Sequence, residues 1–456
     1  MDIFNHYLPW TQKRISLLSP ETWNTLFKTR TDIQQDQKIP ITNLVVLLFN
    51  KLNPPVDLTL FKNRVTIVNW YLSYGRSIFN IDSLEASLNQ NSPITTTRDG
   101  GGVNLVGYSR GRLGLGEDIR GYMQLLDSKK IPYCVVHIGH PTDDPNQFNH
   151  PSTNSPIYDK SIFFLNGIEI GKLIRIYPNF SATFGRSVLI PPWELNICPT
   201  EWANAFSHFE HIWGISKFTT AALQTVHNDV KYSPPIMLPV AQRPASNQPK
   251  NKRKFRFLFI FDVASYMARK NPIAVIQAFQ HAFPKNTDVE LILKVANEKP
   301  SSSWEEIEKL SKSDCRIKII NKLMTSQEIN ELWVTADCYL SFHKSEGFGR
   351  TIAEALLRNI PVIATGWSGS NDLFPENYPF LVSFELTDVM VDEYPFSQGA
   401  VWADISIEDA VNKLQQVYER KSDERLTKLI ESARLNLLEN FGLDAKRNVL
   451  YDWLSN

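Results

Sequence analysis

Residues 341–373 read SFHKSEGFGRTIAEALLRNIPVIATGWSGSNDL. The pattern predicts a strand that ends near Phe342, a loop carrying Glu346, Gly347, Phe348 and Gly349, and a helix that opens near Arg350. Glycines let backbone approach a ligand closely, and the free N–H groups of a helix start attract phosphate. Glu354 follows Glu346 by eight residues and falls about one turn into the helix. One carboxylate is therefore on a loop and the other on a helix. A carboxylate accepts from two neighbouring hydroxyls at once, which suits a ribose diol or a sugar. By spacing alone the two could equally be a solvent-facing pair.

Working outward, this stretch ends a longer series. Strands are predicted over 256–261, 290–295, 317–320, 338–342 and 361–365, with helices over 272–282, 326–336 and 351–359. An earlier series starts at Gly100. Eight of the twenty glycines fall between Gly100 and Gly121, around an apolar run at 103–107. Strands at 132–138, 161–165 and 187–190 follow. Alternating strand and helix implies parallel sheets with crossover helices. Residues 1–98 lack that alternation and read as helices joined by Pro-containing loops such as Asn53-Pro54-Pro55. The expected organisation is a helical extension over 1–98, a Rossmann-like domain over 99–241 and a linker over 242–255. A second Rossmann-like domain covers 256–456, its last helix packing back on the first. The fold class is α/β, with two doubly wound domains facing a ligand cleft at the carboxyl ends of their strands.

Composition removes several functions. Forty-eight basic residues balance forty-eight acidic ones, so the chain is not a general nucleic-acid binder. With 43% hydrophobic residues and no net charge it is not a disordered chain. The first twenty residues hold no uninterrupted apolar run, and no run approaches a membrane span, so neither a signal peptide nor a transmembrane helix is expected. Cys134, Cys198, Cys315 and Cys338 form no CxxC and read as buried, reduced thiols of a cytoplasmic protein. There is no Asp-x-Asp, no metal-ligand spacing, no G-x-S-x-G and no P-loop. No metal or other cofactor is expected. A NAD-binding turn is disfavoured, because G-x-G-x-x-G is missing between Gly107 and Gly121 and no acidic residue ends the next strand at Val136.

The 341–373 segment closely resembles the E-x7-E signature of retaining GT-B glycosyltransferases of the family 4 type. The Ser-Glu-Gly-Phe-Gly start, the Ala-Glu-Ala helix, the Pro-Val-Ile-Ala-Thr strand and the Gly-x-Ser-Gly turn follow in register. The resemblance extends over about 100–450, through LVGYSRGRLGLGE, PPWELNICPTEWANAFSHFEHIWGISKFTTAAL and FIFDVASYMARKNPIAVIQAF. It is nearest to a subgroup met in bacterial O-antigen and capsule assembly. It implies that Glu354 binds the nucleotide ribose and that Glu346 sits beside the donor sugar. The backbone of Gly347, Phe348 and Gly349 would hold sugar hydroxyls or phosphate, with Arg350 and Thr351 beside them. Gly114, Leu115 and Gly116 would approach the same diphosphate. Lys270 takes the lysine position of the family's diphosphate-neutralising basic pair. The arginine expected five residues earlier is Ser265, and Arg269 is the candidate substitute; the alternative for both cations is a solvated helix start.

The family often places a histidine after the strand corresponding to 187–192, and none is there. Glu194 is the candidate polar group near the reacting carbon, against the alternative of a helix-start carboxylate before Pro199. His343 reads as a strand-end residue lining the donor site. Lys250, Lys252, Arg253, Lys254 and Arg256 put five cations in seven residues. They are either a solvated linker or a contact for anionic inner-leaflet lipids. The expected function is transfer of a hexose from a nucleotide diphosphate sugar to a hydroxyl of a glycan or lipid-linked glycan, with retention, in cell-surface polysaccharide biosynthesis. It would take place in the cytoplasm or at the inner membrane. The alternatives are a nucleotide-sugar epimerase on the same fold, which would turn over donor without acceptor, and a non-catalytic glycan-binding or assembly subunit. Ser265 and the missing histidine favour the latter, and Glu346, Glu354 and Lys270 oppose it.

Overall fold

The structure is a computed structural model. It describes residues 25–26, 28–35, 41–71, 100–140, 142–144, 146–153, 155–177, 179–238, 240, 253–297, 301–322 and 324–455, with backbone alone at 51, 52, 172, 175 and 176. The expected linker over 242–255 lies outside these residues except for 253–255, as does much of the 1–98 extension. The chain divides into two compact units, 1–189 with 204–210 and 190–203 with 211–456.

In the first unit, α1 (Asn43–Leu52) starts where the Thr42 hydroxyl accepts from Val45 N at 3.3 Å, a side-chain N-cap. It packs on α2 (Phe61–Trp70) through Leu44, Leu48, Ile67 and Val68. α1 and α2 fall in the region read as helices joined by Pro-containing loops, and 72–99 lie outside the described residues. Then come β1 (Val103–Gly107), α3 (Gly114–Ser128), β2 (Tyr133–His137), β3 (Lys160–Phe164), α4 (Gly167–Ile176) and β4 (Arg186–Leu189). β1 pairs in parallel with β2 and β3, and β3 with β4. A fully buried strand such as β1 normally excludes polar side chains. Asn104 is tolerated because its amide nitrogen donates to Tyr158 O and Lys160 O while its oxygen accepts from Ile157 N and Tyr158 N, all at 2.8–2.9 Å. α4 opens with a capping box between Asn166 and Glu169.

The second unit continues with β5 (His211–Gly214), α5 (Lys217–Gln224) and β6 (Val230–Tyr232), then β7 (Phe255–Asp262), α6 (Pro272–Ala282), β8 (Val289–Ala296) and α7 (Ser302–Ser313). β9 (Ile317–Asn321), α8 (Ser326–Thr335), β10 (Cys338–Ser341), α9 (Arg350–Leu357), β11 (Val362–Thr365) and β12 (Leu381–Val382) follow. β13 (Phe384–Asp388) and β14 (Val401–Ile405) form an antiparallel hairpin before α10 (Ile407–Glu419), α11 (Glu424–Phe441) and α12 (Asn448–Ser455). On α12, Trp453 meets Trp213 of β5 edge-on at 5.8 Å.

The strands form two six-stranded sheets, ordered β2-β1-β3-β4-β5-β6 and β12-β11-β10-β7-β8-β9. The architecture is α/β, as the alternation requires. β5, β6 and the β13–β14 hairpin are additions to the sequence reading. β5 and β6 are too short to stand out by composition, and β13 is mostly exposed.

Two sequence expectations change. Cys315 is exposed rather than buried, while Cys134, Cys198 and Cys338 are buried and all four are free thiols. In the 250–256 basic run, Arg253 lies 2.6 Å from Asp337 and Arg256 2.6 Å from Glu290, whose other side meets Lys318 at 2.6 Å. Among the described residues no helix is long and apolar enough to cross a membrane.

Candidate functional site at the ends of β7 and β10

β7 runs into a short turn at Val263–Ser265, then Tyr266, the helical turn Met267–Lys270, Asn271 and α6. Tyr266 has φ 67° and ψ 106°, and Asn271 has φ 54° and ψ 49°. Asparagine tolerates the left-handed region; a bulky tyrosine there is a strained residue of the sort found at functional sites. The two reversals bracket the turn that carries Arg269 and Lys270. Pro272 then occupies the first turn of α6, where no N–H is needed.

After β10 the chain turns through Phe342–Gly349 and presents Glu346 to both cations. Lys270 Nζ bonds one carboxylate oxygen, and Arg269 Nη1 lies 3.1 Å from the other. Glu346 is buried, not solvated. Arg269 is also buried, donating to Ser345 O at 2.9 Å and to Ser265 O at 3.2 Å. Its own carbonyl accepts from Lys344 N at 2.7 Å. The turn and the loop are thus stitched by side chain and backbone together.

The charges support one another. Burial by itself would raise the Glu346 carboxyl, but Lys270 and Arg269 outweigh it and hold it well below the usual carboxylate range. Burial works against the Arg269 cation, and Glu346 and Glu194 more than offset it, so Arg269 stays firmly charged. The Lys270 ammonium is pulled below its ordinary value by burial and by Arg269, with Glu346 opposing. At neutral pH Glu346 is an acceptor only.

Next to this cluster, His343 is fully buried. Its Nδ1 is 3.0 Å from Ser341 Oγ, its Nε2 is 3.0 Å from Ser370 Oγ, and its carbonyl accepts from Thr365 Oγ1 at 2.6 Å. Burial pushes its pKa down to about 4, so the ring is neutral. Both nitrogens being engaged, His343 braces the loop from below.

The backbone at 346–349 is held from the neighbouring turn. Glu346 N donates to Ser368 Oγ at 2.8 Å, and Gly369 N donates to Glu346 O at 2.8 Å. A Cβ at Gly347 would lie 2.5 Å from Trp193 O. Gly349, at φ 88°, sets the left-handed entry to α9. Phe348 is buried, with its ring edge-on to Phe441 at 5.4 Å. Arg350, Thr351 and Glu354 lie on the half-buried face of α9. Glu354 Oε2 is 3.7 Å from Arg358 Nη1.

Glu194 comes to the same place. Its carbonyl accepts from the Ser345 hydroxyl, its Oε2 accepts from Tyr394 Oη at 2.6 Å, and its Oε1 lies 4.0 Å from Arg269 Nη2. It is therefore not a helix-start carboxylate facing water. Tyr394, Tyr266, Ser345 and Ser370 were not found by sequence reasoning. Tyr394 follows Glu194 by 200 residues, and no local pattern marks such a pair.

Gly114, Leu115 and Gly116 begin α3 in the first unit. The glycine-rich turn before α3 is tied down from several sides. Arg120 donates to Ser109 O at 2.8 Å and Gly111 O at 3.2 Å, and Arg112 N donates to Thr142 O at 3.1 Å. Ser109 Oγ, His137 and Asp143 form a line of hydrogen bonds at 3.0 Å each. Ser109 is fully buried, so this array holds the turn and offers no nucleophile to a substrate.

Residues 243–436 match the family model described as glycosyl transferases group 1. This segment is similar to the group 1 glycosyltransferases. No curated protein matches the chain in sequence. Among solved structures it is similar to a glycosyltransferase from Rickettsia africae, at 14% identity and TM-score 0.55, over 79% of this chain and 98% of that one. It is also similar to HepE from Anabaena, solved with UDP and glucose, at 16% identity and TM-score 0.52, over 77% and 99%. These likenesses give the chain the GT-B fold. TarM from S. aureus aligns at 13% identity and TM-score 0.45 over 65% of this chain, which spans 54% of TarM's length. Arg269, Lys270, Glu346 and Glu354 all fall within the matched residues, whereas Glu194 precedes them.

Proposed function

We propose that the chain transfers a hexose from a nucleoside diphosphate sugar to a hydroxyl of a glycan acceptor, with retention and without a metal ion. The observation that carries this reading is the convergence of Arg269 and Lys270 on Glu346 at the carboxyl ends of β7 and β10. A departing nucleoside diphosphate gains negative charge as the sugar bond breaks. Two fixed cations in a water-poor site stabilise that charge without reorganising. Glu346, held ionised, accepts hydrogen bonds from donor sugar hydroxyls, and Glu354 accepts from the ribose. The N–H groups around Gly347–Gly349 and the start of α9 face the anionic part of the donor. The acceptor hydroxyl, oriented by a hydrogen bond to Glu194, attacks from the face the diphosphate leaves, and its proton passes to an oxygen of the departing diphosphate.

Retention and a role in cell-surface polysaccharide assembly rest on the resemblance to family 4 enzymes. HepE, solved with UDP and glucose, supports a uridine diphosphate hexose as the first donor to try. For a lipid-linked acceptor, Lys250, Lys252 and exposed Lys254 are the cations proposed to meet anionic head groups, since Arg253 and Arg256 are engaged by carboxylates.

The deciding experiment is a panel of nucleoside diphosphate sugars tested for thermal stabilisation and then for turnover with glycan acceptors. A donor at 100 times its Kd adds about 2.7 kcal/mol of stability. Stabilisation by one sugar nucleotide, with acceptor-dependent release of the diphosphate, is expected. Turnover of donor to an epimer without acceptor would replace this reading with the epimerase. Stabilisation without any turnover would leave a binding subunit.

A further inference from the structure

The β13–β14 hairpin reaches the site through its connecting loop. It is fixed at three points: Val389 N to Ala400 O, Val401 N to Asn196 Oδ1, and Ala403 N to Lys344 O, each at 2.9 Å. This anchoring delivers Tyr394, which is buried, to Glu194. Its ring lies 4.6 Å from that of Tyr266, 5.8 Å from that of Trp193 and 6.0 Å from the Arg269 guanidinium carbon. The strained backbone at Tyr266 thus places a second ring against the first.

We propose that Tyr394 is a positioning residue that holds the Glu194 carboxylate off Arg269 and so keeps it available to the acceptor hydroxyl. This rests on the glycosyltransferase reading above. Glu194 Oε2 is taken by the Tyr394 hydroxyl at 2.6 Å, while Oε1 stops 4.0 Å short of Arg269 Nη2. A glutamate has enough freedom to close that gap. Arg269 donors match a carboxylate in a fork, and a closed pair would be strongly favoured at a buried guanidinium. Such a closure has two costs for the reaction. It spends the Glu194 lone pairs on Arg269, and it draws Arg269 from Glu346, 3.1 Å away on its other side. The Tyr394 hydrogen bond competes for the carboxylate without adding charge. The Ser345 hydroxyl on the Glu194 carbonyl fixes the backbone beneath it. One oxygen tied and one turned toward a cation at 4.0 Å is the arrangement a hydroxyl ligand needs in order to be recognised without being displaced by a salt bridge.

The test is Tyr394→Phe, made in the natural chain and in a Glu194→Gln background, with kcat, donor affinity and thermal midpoint measured for all four proteins. The substitution keeps the ring and its packing on Tyr266 and Trp193. Tyr394→Phe is expected to lower kcat by about 10- to 100-fold, the scale of an ångström-level misplacement of a reacting group. Donor affinity should stay within about twofold. In the Glu194→Gln background the same change should lower kcat no further, because Tyr394 acts through that carboxylate. An equal loss in both backgrounds overturns the proposal, as does a Tyr394→Phe chain that fails to fold or loses donor affinity, since the hydroxyl would then be structural. A natural chain that turns over none of the donors defeats the glycosyltransferase reading, and this role falls with it. Activity with additive losses defeats the Tyr394 role alone.

Discussion

Arg269 Nη1 lies 3.1 Å from Glu346 Oε2, although the two residues follow different strands of the second sheet. Both are buried, and Arg269 also donates to two backbone carbonyls that shape the loop. Arg269 and Lys270 therefore differ in kind. Lys270 adds charge; Arg269 adds charge and holds the architecture.

Lys270→Ala should lower kcat by about 100-fold or more with a smaller effect on donor affinity, because only contacts that strengthen toward the transition state raise the chemical rate. Arg269→Ala should lower both kcat and thermal stability, by about 1.5 to 3 kcal/mol for a lost charged hydrogen-bond partner. Steady-state kinetics and melting of the two variants check this. Near-normal turnover for Lys270→Ala would place the diphosphate elsewhere.

His343 sets an acid limit on stability. Its folded pKa of about 4 lies below the ordinary 6.5. A depressed folded value means that the stability it allows is present above 6.5 and is lost as pH falls toward 4, because the unfolded chain takes up the proton first. At about 1.36 kcal/mol per pKa unit the loss is about 3 kcal/mol. Glu346 is also depressed, so its own contribution is present above the usual carboxylate range and is lost progressively as pH falls through that range and below it. Melting curves between pH 7 and pH 4 (about 4 to 7 spans the window) should therefore fall more steeply for the natural chain than for His343→Gln. Parallel slopes would contradict the neutral, buried ring.

Gly347→Ala should destabilise by about 1 to 3 kcal/mol, the usual scale of overpacking. The added Cβ would meet the Trp193 carbonyl oxygen at 2.5 Å, a backbone atom that cannot rotate away. A variant with an unchanged melting midpoint would mean that the 193–194 segment yields easily.

Glu354→Ala should weaken donor binding by about 1.5 to 3 kcal/mol while leaving the fold intact. Arg358, whose guanidinium lies 3.7 Å from the Glu354 carboxylate, keeps Asn330 Oδ1 at 3.0 Å and the Glu354 carbonyl at 3.0 Å. Calorimetry with the donor identified in the panel decides it, and unchanged affinity would remove Glu354 from the site.

Turnover should persist in excess EDTA, because Arg269 and Lys270 are proposed to supply the charge that a divalent ion would otherwise bring. Loss of activity on chelation, restored by Mg²⁺ or Mn²⁺, would contradict the mechanism.

What the sequence by itself determined are the features written within about twenty residues of one another. The alternation that builds β7 to β11 is one. So are Pro272 at the start of α6, reproduced over 272–282, and the Glu346–Gly349 loop before α9. Hydrophobic periodicity, caps and glycine turns act locally, so they are legible in a linear string. Only the tertiary structure decided that Glu346 is buried between two cations, that His343 is sealed by Ser341 and Ser370, and that Glu194 meets Tyr394. Those relationships depend on strand order in the β12-β11-β10-β7-β8-β9 sheet and on where the β13–β14 loop lands. Burial sets the charge state of each group, and it is a property of everything packed around that group. A sequence of side chains carries the chemistry of Glu346, Arg269 and Glu194, but their ionisation and mutual distances arise only when crossovers bring remote segments together and exclude water.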